Sequence, residues 1–200
     1  MRKLTVDDIV DLRAYERERE EFRTHVIALK KRRRVSFGPV TTFVFENRET
    51  IRFQIQEMAR IEKLISDEAI EGELAAYNPL IPDPGSLSAT LFIELTSDDA
   101  LREWLPKLVG IERHIDLRLG SGPGAVTVTC APDPDHDKQL TREDVTSAVH
   151  YVHFTFTSEQ VERFAAGDVR LALAHPEYEH ELALEPETVA ELAHVLRHGG

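Results

Sequence analysis

The sequence predicts an α+β fold, with an antiparallel β-sheet, helices packed on one face of it and a mainly helical N-terminal half. The stretch 46–65 places apolar residues over more than half of a helical wheel, which is typical of a helix buried on two sides. Beyond residue 86, alternating apolar residues and turn signals predict hairpins at 111–130 and 169–184. Because such antiparallel pairs outnumber any strand–helix–strand rhythm, an antiparallel sheet is expected.

Length and composition limit the possible functions. The 200 residues are 42% hydrophobic, which is enough for one domain over 1–200, with a helical half (1–85) and a sheet-rich half (86–200). The net charge of −12 argues against general nucleic-acid binding, because phosphates would be repelled over most of the surface. Without a signal-peptide pattern or a run of about 18 apolar residues, a cytoplasmic protein outside the membrane is expected. A single cysteine, Cys130, excludes an internal disulfide and any metal site that needs several thiolates.

The elements of the first half follow from local signals. Thr5 and Asp8 resemble a capping box at the start of a short helix that continues to Leu12. The remaining predictions are a helix at 15–33, two short strands in 34–45 with a turn at Gly38-Pro39, the helix at 46–65, a short helix at 66–77 and a turn-rich connector at 78–85.

The second half alternates strands with short helices. The predicted strands are 87–95, 111–119, 125–130, 148–156 and the two arms of 169–184, whose turn is placed at Pro176-Glu177. Arg113 is expected on the inward face of its strand. The predicted helices begin at Thr96 with Asp99 as cap partner, at Ser158 and at Pro186.

Three polar residues interrupt the apolar sector of the helix at 46–65. Gln54, Glu57 and Glu62 project into it, and buried polar groups need partners. Arg19 and Arg33 lie along the core-facing edge of the preceding helix and are expected to meet them. This set forms either a structural ion-pair network or part of a ligand site.

The functional interpretation is an anion site in this region. Arg33, Arg34, Arg48, Gln54 and Glu57 are predicted to bind an anionic small molecule or a protein partner. The ordinary interpretation of the basic run at 30–34 is a helix end whose charge matches the helix dipole. Nucleic-acid binding through this run ranks third.

Histidines provide the competing hypothesis, a metal-binding protein or metalloenzyme. His150 lies on the apolar face of its strand, and a two-residue hairpin turn would place His175 and His180 on one face as diagonal neighbours. Three imidazoles and the nearby carboxylate of Glu177 would suit Zn, Fe or Mn. Structural histidines with satisfied hydrogen bonds explain the same pattern. No cofactor, substrate or reaction type follows from these residues.

The segment from Asp133 to Asp144 has carboxylates at several calcium-loop positions. It lacks the glycine that such a loop needs at its sixth position and has no entering helix, so an acidic surface loop is predicted.

Long motifs resemble one bacterial family. They are Glu21-Phe-Arg23, Val26-Ile-Ala-Leu-Lys-Lys31, Arg33-Arg-Val35 with Gly38-Pro39, Phe45-Glu-Asn-Arg48 with Thr50, Gln54-Ile-Gln-Glu-Met58 with Arg60 and Glu62, Tyr77-Asn-Pro-Leu-Ile-Pro82, Ser147-Ala-Val-His150 and His175-Pro with Tyr178. Over nearly its whole length the chain thus resembles a domain of unknown function, DUF3501. The resemblance implies an accessory role in peroxide or redox defence beside rubrerythrin-like and iron–sulfur proteins. The missing cysteines argue that the chain is not itself the redox centre.

Overall fold

A computed structural model describes residues 2–134 and 144–200 and confirms the α+β class. Within those ranges the helices are α1 (Leu12–Lys31), α2 (Arg48–Glu62), α3 (Asp67–Tyr77), α4 (Asp98–Lys107), α5 (Ser158–Ala165) and α6 (Pro186–His198). The strands are β1 (Arg34–Phe37), β2 (Thr41–Phe45), β3 (Ser86–Ile93), β4 (Ile115–Leu119), β5 (Val126–Thr129), β6 (Ala131–Pro132), β7 (Val149–Thr155), β8 (Val169–His175) and β9 (Tyr178–Ala183).

The strands form two antiparallel sheets, where the sequence predicted one. The first has the order β1-β2-β3-β7-β6, and the second has the order β5-β4-β8-β9. The first sheet therefore joins strands from both halves of the chain, with β3 between β2 and β7. Side-chain alternation predicts which face of a strand is buried but does not say which strands share a sheet, so this partition was not predictable from the pattern.

The main core combines the apolar faces of both sheets. Phe43, Leu91 and Phe154 from the first sheet belong to one buried cluster with Leu117 and Leu171 from the second. Apolar residues of α5 and α6 complete the cluster. Because successive strand residues point to opposite faces, the other face of β3 presents Ser88 and Thr90.

The N-terminal helices form a second, smaller cluster. Ile51 and Ile55 of α2 pack with Leu74 of α3 and with Leu80. Helix α2 begins at a capping box of Asn47 and Thr50 and ends at Lys63, which adopts the left-handed conformation. In the described ranges, no helix combines the length and the apolar character that crossing a bilayer requires.

The turn between β1 and β2 is anchored by the second sheet. The Tyr178 hydroxyl donates to the carbonyl of Phe37 (2.9 Å) and accepts from the amide of Val40 (3.2 Å). Gly38 in this turn has φ +69°, and a Cβ there would collide with the Tyr178 hydroxyl and the His180 ring. Only glycine fits this conformation and this close approach.

Local predictions differ from the structure at three places. Residues 111–113 form a 3₁₀ turn before β4, so Arg113 is exposed and its expected inward position is wrong. Helix α4 is capped by Ser97, whose side chain accepts from the Ala100 amide, rather than by Thr96. The last turn of α2 leaves the apolar side chain of Ile61 exposed, so this end of the helix is not core.

Candidate functional site

The predicted pairing of α1 with α2 is confirmed in one part. The Glu57 carboxylate accepts from Arg19 through Nε (2.8 Å) and Nη2 (2.9 Å), and from the Tyr15 hydroxyl (2.7 Å). The bond from Arg19 holds the pKa of Glu57 below its usual range. Glu62, by contrast, is exposed at the end of α2. Glu57 therefore belongs to a closed structural network.

Arg33 has a different partner from the one expected. Its side chain lies under α6, where Nη2 and Nε donate to Glu191 Oε1 (2.6 and 3.1 Å). Its Nη1 donates to the backbone carbonyl of Glu46 (3.2 Å). Arg33 is 2% exposed, and burial lowers its pKa from the ordinary value. The predicted pairing with the glutamates of α2 is wrong, because the chain leaves α1 before Arg33 and turns its side chain toward α6.

Two other predicted ligand residues lie in separate ion pairs. Arg34, exposed on the edge strand β1, pairs with Glu94. Arg48 binds Asp8 (Nη2 to Oδ1, 2.7 Å) and donates through Nε to the carbonyl of Arg2 (3.0 Å). The structure therefore does not bring Arg33, Arg34, Arg48 and Glu57 together at one cavity.

Gln54, the fifth predicted ligand residue, lines a cavity between α2 and the polar face of the first sheet. We call it the α2 cavity; its volume is about 150 Å³. A wider depression beside Phe22 and Arg52 is shallower. The side chains around the α2 cavity are Lys30, Glu46, Thr50, Ile51, Gln54, Tyr77, Leu80, Thr90, Phe92, Val149 and Tyr151.

The buried wall of the α2 cavity carries a carboxylate. Glu46 is 6% exposed, and its two oxygens accept separately from Thr50 Oγ1 (2.5 Å) and Thr90 Oγ1 (2.6 Å). Thr50 is held in place by the capping box of α2, and Thr90 by the central strand β3. The two threonine hydroxyls therefore hold both oxygens of the Glu46 carboxyl group in a fixed position.

Donors surround the rest of the cavity. Lys30 and Gln54 are half-buried and therefore more accessible to solvent than Glu46. Tyr77 and Tyr151 meet edge to face, with ring centroids 6.3 Å apart. Burial, chiefly, and a hydrogen bond to Tyr77 raise the pKa of the Tyr151 hydroxyl, which therefore stays protonated near neutral pH. The cavity thus places an ammonium and an amide in the same lining as one carboxylate, while the two phenol side chains bond to each other.

Sequence reasoning missed most of these residues. Thr90 and Tyr151 alternate with apolar residues on their strands, so a half-buried sheet would place them in solvent. Glu46 was included in the predicted helix but precedes it. The sequence carried only a weak signal for this site. One face of the strands is polar, and the helix that covers it carries Gln54 within an apolar sector.

The three predicted metal ligands, His150, His175 and His180, each contact different residues. His150 Nε2 is 2.8 Å from Thr146 Oγ1, and His175 Nε2 is 3.1 Å from the carbonyl of Val109. The predicted two-residue turn does form, and β9 places His180 opposite Leu173, where its ring contacts Tyr178. Among residues 2–134 and 144–200, no group of three His, Cys, Asp or Glu side chains is placed to hold a metal ion. This arrangement gives the metal hypothesis no support.

Another histidine, which the sequence did not single out, lies on the cavity side of β7. His153 Nε2 is 2.8 Å from Oδ2 of the buried Asp133, and the Asp133 amide donates to the carbonyl of Tyr151 (2.8 Å). A carboxylate at one ring nitrogen orients an imidazole, but His153 does not line the α2 cavity. The rest of the predicted acidic loop, residues 135–143, lies outside the described residues.

Comparisons with known proteins identify relatives without an assigned activity. A family described as "Protein of unknown function (DUF3501)" matches residues 3–196. A crystal structure of a novel protein of unknown function from Burkholderia pseudomallei is 37% identical and superposes with a TM-score of 0.88. That match covers 98% of this chain and 100% of the other. No curated protein matches the chain.

Proposed function

Because this chain belongs to the DUF3501 family, whose description names no activity, we propose a function from geometry: it binds a small anionic molecule in the α2 cavity. The observation that carries the proposal is Lys30. It lines the same cavity as Gln54 and, within the part of the chain that the structure describes, forms no ion pair. By contrast, Arg19, Arg33 and Arg48 are each paired with a carboxylate.

The size of the α2 cavity limits the ligand. A cavity of about 150 Å³ holds a molecule the size of benzene, so a ligand of about six to eight non-hydrogen atoms fits. Small ligands gain roughly 0.3 to 1.5 kcal/mol per such atom, and about 0.7 kcal/mol for each of eight atoms corresponds to a dissociation constant on the order of 0.1 mM. The walls formed by Ile51, Leu80 and Phe92 suit an apolar body, while Lys30 and Gln54 suit an anionic end.

This proposal keeps the anionic ligand predicted from sequence and moves it to another set of residues. Gln54 is the residue common to both. Binding of a protein partner stays a prediction, as do the cytoplasmic location and the link to rubrerythrin-like or iron–sulfur redox defence.

Thermal unfolding with butyrate and benzoate as probes tests the proposal. At a ligand concentration 100 times the dissociation constant, binding adds about 2.7 kcal/mol, which raises the Tm of a chain of this size by about 5–10 °C. Lys30→Met should remove most of this shift, and Gln54→Leu should reduce it.

Lys31→Met is the matched control, because Lys31 is the exposed neighbour of Lys30 and lies outside the α2 cavity. It should leave the shift intact, as should Arg48→Ala. If neither probe raises the Tm, or if Lys31→Met lowers the shift as much as Lys30→Met does, the proposed site is wrong.

A further inference from the structure

The α2 cavity contains two opposite charges that do not neutralise each other. Lys30 and Glu46 both line it, yet the described residues form no ion pair between them. A buried carboxylate and a half-buried ammonium in one small space normally either pair directly or leave room for something between them. Here both groups line a cavity of about 150 Å³, which has room for a small molecule.

Glu46 has capacity for a further donor. An ionised carboxylate offers about four acceptor positions, and the Thr50 and Thr90 hydroxyls fill two of them. The Arg33 guanidinium reaches the backbone carbonyl of Glu46 and is bound through its other nitrogens to Glu191. A ligand group that donates hydrogen bonds and carries positive charge would complete the environment of the Glu46 side chain.

We propose that the ligand of the α2 cavity is a short-chain amino carboxylic acid. Its ammonium group binds Glu46, its carboxylate binds Lys30 and Gln54, and its aliphatic part packs against Phe92 and the two tyrosines. This inference rests on the proposed function, since it assigns the second charge of the same ligand. It also gives a partner to the buried carboxylate in the cavity wall, which would weaken the binding of a ligand that carries only negative charge.

Three probes of nearly equal size separate the two charges of the ligand. Butyrate carries the carboxylate alone, 2-hydroxybutyrate adds a neutral donor, and 2-aminobutyrate adds an ammonium at the same carbon. Titration calorimetry on the full chain should show 2-aminobutyrate binding at least about tenfold more tightly than either of the others, equivalent to about 1.4 kcal/mol.

Glu46→Gln is the matched variant, because a glutamine amide keeps the size of the side chain and can still bond both threonine hydroxyls. It should remove the preference for 2-aminobutyrate while leaving butyrate binding unchanged or stronger. Lys30→Met should weaken all three probes alike. The comparison of probes on the unaltered protein remains decisive if Glu46→Gln does not fold.

The outcomes distinguish this inference from the proposed function. Equal affinity for butyrate, 2-hydroxybutyrate and 2-aminobutyrate, with all three lost in Lys30→Met, would overturn the amino-acid assignment and leave an anion site. A preference for 2-aminobutyrate that persists in Glu46→Gln would also overturn it. Absence of binding by any probe would overturn both.

Discussion

Removing Glu191 should strongly destabilise the protein, because Arg33 would lose the partner of a buried charge. The Arg33 side chain is 3% exposed, and Glu191, which holds it at 2.6 Å, is 22% exposed. Breaking a buried pair by deleting one partner costs about 3–5 kcal/mol. Since Glu191 keeps some contact with water and Arg33 keeps the carbonyl of Glu46, we expect the lower end, about 3 kcal/mol for Glu191→Ala.

Urea unfolding followed by circular dichroism measures this loss, provided that the transition is two-state. The corresponding fall in Tm is about 6–12 °C for a chain of this length. Glu162→Ala is the control: it deletes the partner of Arg197 in a pair whose side chains are 46% and 72% exposed, and should cost less than about 1 kcal/mol.

Replacing both Arg33 and Glu191 tests whether the unpaired charge causes the loss of stability. Arg33→Met combined with Glu191→Leu removes the buried charge together with its partner, so the double variant should be more stable than Glu191→Ala. The explanation by an unpaired, buried Arg33 is refuted if Glu191→Ala lowers the free energy of unfolding no more than Glu162→Ala does. It is also refuted if the double variant is the least stable of the set.

Three further predictions concern other parts of the fold. The hydrogen bond from Arg19 lowers the pKa of Glu57 in the folded state. The stabilisation from this bond is therefore present above pH 4.5, the ordinary pKa of the group, and is lost as pH falls through the folded-state pKa. In Glu57→Gln, the free energy of unfolding should consequently change less with pH below 4.5. Burial raises the pKa of Cys130 to about 12, so at pH 8 a disulfide reagent should label native protein about 1,000-fold more slowly than unfolded protein. Gly38→Ala forces a side chain onto the Tyr178 hydroxyl at positive φ and should cost more than about 1 kcal/mol in urea unfolding.

Each of these three has a result that contradicts it. A Glu57→Gln variant that loses stability with acid as steeply as the unaltered protein would show that other carboxylates dominate. Native labelling within tenfold of the unfolded rate would mean that Cys130 is accessible. For Gly38, the control is Gly72→Ala in α3, where an added Cβ meets nothing within 4 Å and should stabilise by about 0.5–1 kcal/mol; equal effects of both substitutions would contradict the close approach.

The sequence predicted the elements well and their assembly less well. Strong local signals, such as Asn47 before α2 and the two-residue turn at Pro176-Glu177, sit where the structure has a cap and a hairpin. The split into two sheets was not predictable, because pairing β3 with β7 depends on contacts across more than fifty residues of intervening chain. Strand β6, only two residues long and containing Pro132, carries no pattern at all.

For the candidate site, the sequence identified one lining residue but not the site as a whole. Gln54 stood out because it broke an apolar pattern, and it does line the α2 cavity. The arginines were grouped with it only by nearness in sequence, and each proved to have its own acidic partner. Glu46 and Thr90 meet because the capping turn before α2 crosses the central strand β3. This contact depends on the tertiary structure, and no local sequence pattern predicts it.

The position of β3 sets an order for biosynthesis. This strand lies between β2 and β7, so a growing chain presents one of its edges unpaired until residues 149–155 have left the ribosome. An open edge beside apolar residues is a template for wrong pairing, and long-range pairing is slow. We therefore expect the N-terminal half to remain bound to chaperones or only partly folded until β7 has been synthesised. A truncation before β7 should aggregate when expressed alone.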